Sequence, residues 1–118
     1  MISTKQQRNE FYDSDEWKSF RHEHWSDLYR HERERVDDRD YEPVFYCTYC
    51  EKELSTCDKD HYPTLDHMFP LHSHWEWRLE PKNITLCCNK CNKMKGGMDP
   101  RKYPIRNILI RREILLPR

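Results

Sequence analysis

Cys47-Thr48-Tyr49-Cys50 and, after 37 intervening residues, Cys88-Asn89-Lys90-Cys91 are the stretches whose reading decides the fold. A C-x-x-C turn lets both sulfurs point at one ion, and two such turns supply the four thiolates that a closed, tetrahedral structural zinc takes. A thioredoxin-like redox dithiol expects a single pair beside a βαβ pattern, so zinc binding is the reading adopted. Closing a loop of this length through a metal contributes folding free energy on the order of 10 kcal/mol in small zinc modules. Cys57 and Cys87 are left over. Only Cys88 has the two-residue spacing to Cys91, so both spare thiols read as packed or exposed groups without function.

The remaining composition says why a metal is needed. Leu, Ile, Val and Phe make up 21 of 118 residues, under the roughly 20% at which highly charged chains usually fail to fold. Fifteen aromatics and the cysteines are what can replace the missing aliphatics. The length fits one domain, 1–118, with a core at about 11–97 and a basic C-terminal tail at 98–118. No window approaches the roughly 18 consecutive apolar residues of a membrane span, and residues 1–20 are polar and acidic rather than a signal peptide. A soluble, cytoplasmic chain that is not secreted is expected, with no membrane partner.

Charge is informative only when divided. The net charge is zero, yet residues 1–60 carry 10 basic and 16 acidic groups and residues 61–118 carry 11 and 5. Positions 82–118 hold 10 Lys and Arg against Asp99 and Glu113 alone, the density of a segment that meets phosphate. Arg101 and Lys102 lie in it and are candidate nucleic-acid contacts.

Asp13 and Glu16 fit a capping box and predict a helix from about residue 14 into the thirties, with Trp17, Phe20, His24 and Leu28 on one face and Trp25 at its margin. Pro43 stops it, and Val44-Phe45-Tyr46 reads as a short strand into the first cysteine pair. Thr64 to Phe69 reads as a second extended run ended by Pro70. Residues 71–82, with His72, His74, Trp75 and Trp77, read as an irregular loop. Asn83-Ile84-Thr85-Leu86 then leads into the second pair and a helix at about 88–95 that Gly96-Gly97 stops. The segment from 101 to 118 reads as a strand or short helix between Pro104 and Pro117. The expected class is α+β.

Chemistry is expected at Asp66-His67. Successive strand residues face opposite sides, so aiming both at one group requires the strand end beside Pro70 to depart from regularity. Asn92 and Lys95, at i and i+3 of the short helix, share a face. Taken together, Leu65-Asp66-His67-Met68-Phe69-Pro70-Leu71 and Asn83-Ile84-Thr85-Leu86-Cys87-Cys88-Asn89-Lys90-Cys91-Asn92-Lys93-Met94-Lys95-Gly96, preceded by Cys47-Thr48-Tyr49-Cys50, closely resemble the zinc-containing HNH endonucleases. Phe11-Tyr12-Asp13-Ser14-Asp15-Glu16-Trp17 is similar to the segment that opens many small stand-alone members of phages and mobile elements.

That resemblance, over about 11–97, implies a small zinc-stapled ββα-metal, treble-clef-like domain with an N-terminal helix. It implies that Asp66 and Asn92 bind one divalent cation, that His67 is the general base, and that Asn83 holds the His67 loop by hydrogen bonds. Asn92 stands where many members have His, as in HNN-type sites. The loop before Asn83 lacks the family's usual glycines. The implied reaction is hydrolysis of a DNA phosphodiester, with a neutral imidazole taking the water proton and a cation offsetting charge on the phosphoryl and leaving oxygens. Oxygen ligands favour Mg²⁺ or Mn²⁺ there, beside structural Zn²⁺ on Cys47, Cys50, Cys88 and Cys91. Lys93 and Lys95 are then candidate phosphate contacts. The rival expectations are an inactive zinc-stabilised DNA-binding module and a purely structural zinc domain. A chain this small has little recognition surface, which leaves room for a protein partner or a homodimer.

Overall fold

The computed structural model describes residues 1–105; the expectations for 106–118 in the basic tail lie outside the described residues. Five regular elements follow in order: α1 (Lys5–Asp13), α2 (Asp15–Arg35), β1 (Pro63–His67), β2 (Ile84–Cys88) and α3 (Asn89–Lys95). Short 3-10 turns at Trp75–Trp77 and Pro81–Asn83 interrupt the connection between the strands. The architecture is a small α+β domain with a two-stranded antiparallel sheet.

The N-terminal helical region is two helices where one was expected. Thr4 and Gln7 form the capping box of α1, each side chain bonding the other's backbone. Asp13 is therefore the last residue of α1 and caps nothing. Ser14 sits between the helices in an extended conformation, its N–H donating to Phe11 O, and its hydroxyl accepts from Trp17 N to start α2. The chain ahead of α1 also pins the 71–82 loop, through Ser3 N to His72 O and Trp75 N to Met1 O.

β1 and β2 pair in a register that sets Leu65 against Leu86, Asp66 against Thr85 and His67 against Ile84. Alternation along each strand then gives the sheet two different faces. Ile84, Leu65, Leu71 and Trp75 pack with Phe11, Trp17 and Phe20 from the two N-terminal helices. A second cluster gathers Cys87, from the opposite face, and Cys88, at the strand's end, with Cys47, Tyr49, Phe69, Cys91 and Ile105. Sulfur and aromatic carbon fill the cysteine cluster, while the helix-side cluster joins aromatic rings to Leu65, Leu71, Leu79 and Ile84.

Residues 44–46 do not form a strand. Only Tyr46 bridges Glu53, while Cys47 N donates to Lys52 O and Leu54 N to Phe45 O, so the segment is the stem of a tight loop around the first cysteine pair. Glu51, with φ 63°, turns that loop. Thr48 fastens it to β2 through Thr48 N to Leu86 O at 3.0 Å and a hydroxyl contact with Thr85 at 2.6 Å.

β2 runs directly into α3, with Cys88 as the helix N-cap. Gly96 ends the helix at φ 52° and ψ −127°, and its N–H donates to Asn92 O. That backbone region is essentially closed to a residue with a Cβ, at a cost of about 1–3 kcal/mol. Gly96→Ala is expected to lose about that much in urea unfolding, whereas Met98→Ala, at an exposed position, is expected to stay within ~0.5 kcal/mol.

Candidate functional site

The four sulfurs of Cys47, Cys50, Cys88 and Cys91 lie within 4.8 Å of one another, and this is the metal-capable cluster of His, Cys, Asp or Glu among the described residues. Four sulfurs placed tetrahedrally around zinc at about 2.3 Å are ~3.8 Å apart. Cys50 and Cys88 are at 3.9 Å. Backbone N–H groups of Cys50 and Cys91 point at the sulfurs of Cys47 and Cys88, at 3.5 and 3.3 Å, the orienting contacts a thiolate set uses. Burial pushes the Cys47 thiol up and takes Cys91 to about 12. Thiolates gathered this closely require a cation among them. The donors thus fit a metal ion such as zinc. Cys87 is buried against Thr64 and Cys57 is exposed, and neither joins the cluster.

Directly beside it, Asp66 and His67 point to opposite faces of the sheet. β1 stays regular through His67, so the expected departure at the strand end does not occur. Asp66 turns toward the cysteine side, where its Oδ2 meets Lys95 Nζ at 3.1 Å and accepts from the Tyr49 hydroxyl. Burial raises its carboxyl above the ordinary range, and Lys95 and Tyr49 draw it part of the way back.

Lys95 corrects an expectation. Its side chain is 0% exposed and donates to His67 O at 3.0 Å as well as to Asp66, so it braces the site from within and offers no surface for phosphate. Helical spacing does put Asn92 beside it, and Asn92 Nδ2 donates to Thr64 Oγ1 at 3.1 Å. Asp66 and Asn92 do not touch. Each keeps one side-chain oxygen, Asp66 Oδ1 and Asn92 Oδ1, without a hydrogen-bond partner among the described residues.

His67 turns toward α1 and α2, its ring 4.9 Å from that of Trp17 and edge-on to Phe11 and Tyr12. Its Nε2 lies 2.8 Å from Arg78 O and its Nδ1 3.2 Å from the Tyr12 hydroxyl. A carbonyl can only accept, so Nε2 carries the proton and Nδ1 presents its lone pair to Tyr12. Burial lowers the His67 pKa to about 4, Lys95 adding to the effect, and burial raises the Tyr12 hydroxyl to about 12. At neutral pH both are uncharged.

Asn83 is fully buried. Its Oδ1 accepts from Phe69 N at 2.8 Å and its Nδ2 donates to Phe69 O at 3.1 Å, locking the chain just beyond His67. The loop histidines lie elsewhere: His72 Nε2 contacts Gly97 O, and His74 stacks on Trp77. Trp75 and Trp77 pack against the two cores. Arg101 is tied to Asp99 by two charged contacts at 2.7 and 3.0 Å, while Lys93 and Lys102 are exposed.

Tyr12, Tyr49 and the Arg78 carbonyl were not legible as site groups. Tyr12 stands in the quoted N-terminal motif, but nothing local says that its helix reaches His67. A cleft of about 760 Å³ between α2 and the sheet is lined by Tyr12 and Trp17 on the helical side and by Thr64, Leu65 and Asn92 on the other. No protein-family model matches the chain, and comparison with curated proteins and with solved structures finds no match to it. Among the described residues no helix is long and apolar enough to cross a membrane.

Two outcomes follow from this geometry. Cys88→Ser is expected to lose one bound metal ion per chain and to melt well below the parent, while the exposed Cys57→Ser keeps both; elemental analysis and thermal melts decide. The second concerns pH. Because the folded His67 pKa lies below the unfolded value near 6.5, the unfolded chain binds the extra proton and stability falls as pH drops below about 6.5. Urea unfolding without added divalent cation should lose about 2 kcal/mol between pH 7.5 and 5. His24, also lowered by burial, adds in the same sense, and the raised Asp66 acts in the opposite one. Both remain in His67→Gln, whose profile should be flatter by that amount.

Proposed function

We propose that this chain is a metal-dependent DNA endonuclease of the zinc-containing HNH kind, hydrolysing phosphodiester bonds in a ββα-metal, treble-clef-like domain stapled by Zn²⁺ on its four clustered cysteines. The observation that carries the reading is the presentation of His67. Its Nε2–H is held by the Arg78 carbonyl, its ring is neutral, and its Nδ1 lone pair meets a hydroxyl. That is the disposition a general base needs toward the O–H of an attacking water. Four thiols reserved for a metal suit a reducing compartment such as the inside of a bacterial or phage-infected cell.

In the resting arrangement the Tyr12 hydroxyl takes the place of that water. Moving Tyr12 aside lets solvent reach the ring, relieves the desolvation that depresses its basicity and brings its pKa back toward 6.5. Nδ1 then removes the water proton, the oxygen bonds to phosphorus, and the bond to the 3′-oxygen breaks, leaving 5′-phosphate and 3′-hydroxyl ends. Asn83 keeps the strand end in position through Phe69. Asp66 Oδ1 and Asn92 Oδ1, hard donors without partners, suit Mg²⁺ or Mn²⁺, which retains most of its waters and needs few protein ligands. When bound, such a cation offsets negative charge on the phosphoryl and leaving oxygens. Lys93 and Lys102 remain as exposed phosphate contacts, with Arg101 shared with Asp99.

One observation favours a second reading, a zinc-stabilised DNA-binding module without catalysis: His67 is only 4% exposed and both its ring nitrogens are engaged. Supercoiled plasmid with Mg²⁺ or Mn²⁺ separates the two. The parent is expected to nick or linearise it and His67→Ala to do so at least about a hundredfold more slowly. Equal rates remove His67 from the reaction, and a parent that binds plasmid without cutting it supports the module.

A further inference from the structure

We infer that the cleft between α2 and the sheet is a binding groove for one strand of nucleic acid, and that Lys18 and Arg21 of α2, rather than the C-terminal tail alone, grip its phosphates. This rests on the nuclease reading for its substrate class. Lys18, Arg21, His22 and Trp25 fall at i, i+3, i+4 and i+7 and so form one face of α2. All four line the cleft. Glu16, Glu23 and Asp27 lie on roughly the opposite side of the helix at 100° per residue. Asp15, one turn before Lys18, makes no ion pair with it, and among the described residues neither Lys18 nor Arg21 has a partner for its side chain. Two exposed cations without partners, side by side on the cleft face of a helix whose other cations include Arg30 and Arg35 paired with acids, are placed for an anion.

Aromatic rings in the same lining say which anion. Tyr62, 48% exposed, lines the cleft together with Trp25, whose ring packs on that of Phe45 with centroids 5.2 Å apart. Cations that track a backbone beside flat aromatic surfaces are the combination that holds single strands, since every base has a face to stack. A single strand can offer its bases to those rings, whereas a duplex keeps its bases stacked inside. Asn92 and Tyr12, the latter on the Nδ1 of His67, both line the cleft, so a strand lying on the Lys18 and Arg21 face comes beside both groups of the proposed reaction.

The test is binding without turnover. Fluorescence anisotropy of a labelled twelve-nucleotide oligo(dT) is measured against the full chain with no divalent cation added. Lys18→Ala/Arg21→Ala should weaken binding at least tenfold and flatten the salt dependence by about 1.4 in log–log slope, since two phosphates of a single strand are no longer neutralised. Tyr62→Ala should weaken it about fivefold or more through the missing stacking surface. Lys5→Ala/Lys59→Ala, the same charge change at exposed sites elsewhere, should stay within twofold. Equal losses in the two double variants, or equal affinity for a twelve-base-pair duplex or for polyglutamate, would overturn the groove. Cleavage by the parent with unaltered binding by Lys18→Ala/Arg21→Ala removes the groove and leaves the nuclease. Binding through Lys18 and Arg21 by a parent that never cuts removes the nuclease and leaves the groove.

Discussion

Four sulfurs held within 4.8 Å of one another are the constraint on which the rest of the domain depends. They join the loop at 47–50 to the junction of β2 and α3 across a long stretch of chain, and they do so where ordinary hydrophobic burial is thin. The same junction fixes the short helix. A seven-residue helix has little stability of its own, and α3 is held at its first turn by Cys88 as cap and Cys91 as cluster member. From that anchored turn, Asn92 and Lys95 are projected onto β1. The metal-capable cluster thus does not take part in the proposed chemistry but determines where its groups stand.

The second organising fact is the period of two along β1. A regular strand sends Asp66 to the cysteine side and His67 to the side of the N-terminal helices, and each finds a different environment there. Asp66 is neutralised internally by Lys95 and bonded by Tyr49. Leaving either charge of such a pair alone in the interior costs several kcal/mol, which explains why Lys95 is not free to meet a ligand. His67 is enclosed by aromatic rings from α1 and α2 that keep it neutral. The proposed reaction therefore depends on the N-terminal third as much as on the cysteine-bearing part, since it supplies the surroundings and the hydrogen-bond partner of the imidazole.

Electrostatics shows the same dependence on geometry. Dividing the chain into an acidic and a basic half locates a basic tail, but it hides the segregation within α2. There, Lys18 and Arg21 stand exposed and unpaired on the cleft side, while Arg30 and Arg35 are paired with Asp27 and Glu32. Conversely, a lysine counted as surface charge proves to be the most deeply buried cation of the site. Net charge is a property of composition, whereas a phosphate responds only to charge that is exposed and unpaired.

Local rules made a good part of this protein readable from its residues. The C-x-x-C spacing announced the cysteine cluster, apolar runs bounded by proline marked β1, and the paired glycines marked the end of α3, because each depends on neighbours a few residues apart. The helix predicted from about residue 14 is α2, capped by Ser14 rather than Asp13, whereas the Thr4 and Gln7 capping box that starts α1 went unread although it is equally local. What tertiary structure alone decided is who meets whom across the sheet. Tyr12 on His67, Lys95 on Asp66 and the basic face of α2 over a cleft are contacts between segments dozens of residues apart. They arise from strand register and from which faces can be buried together, and no local window contains that information.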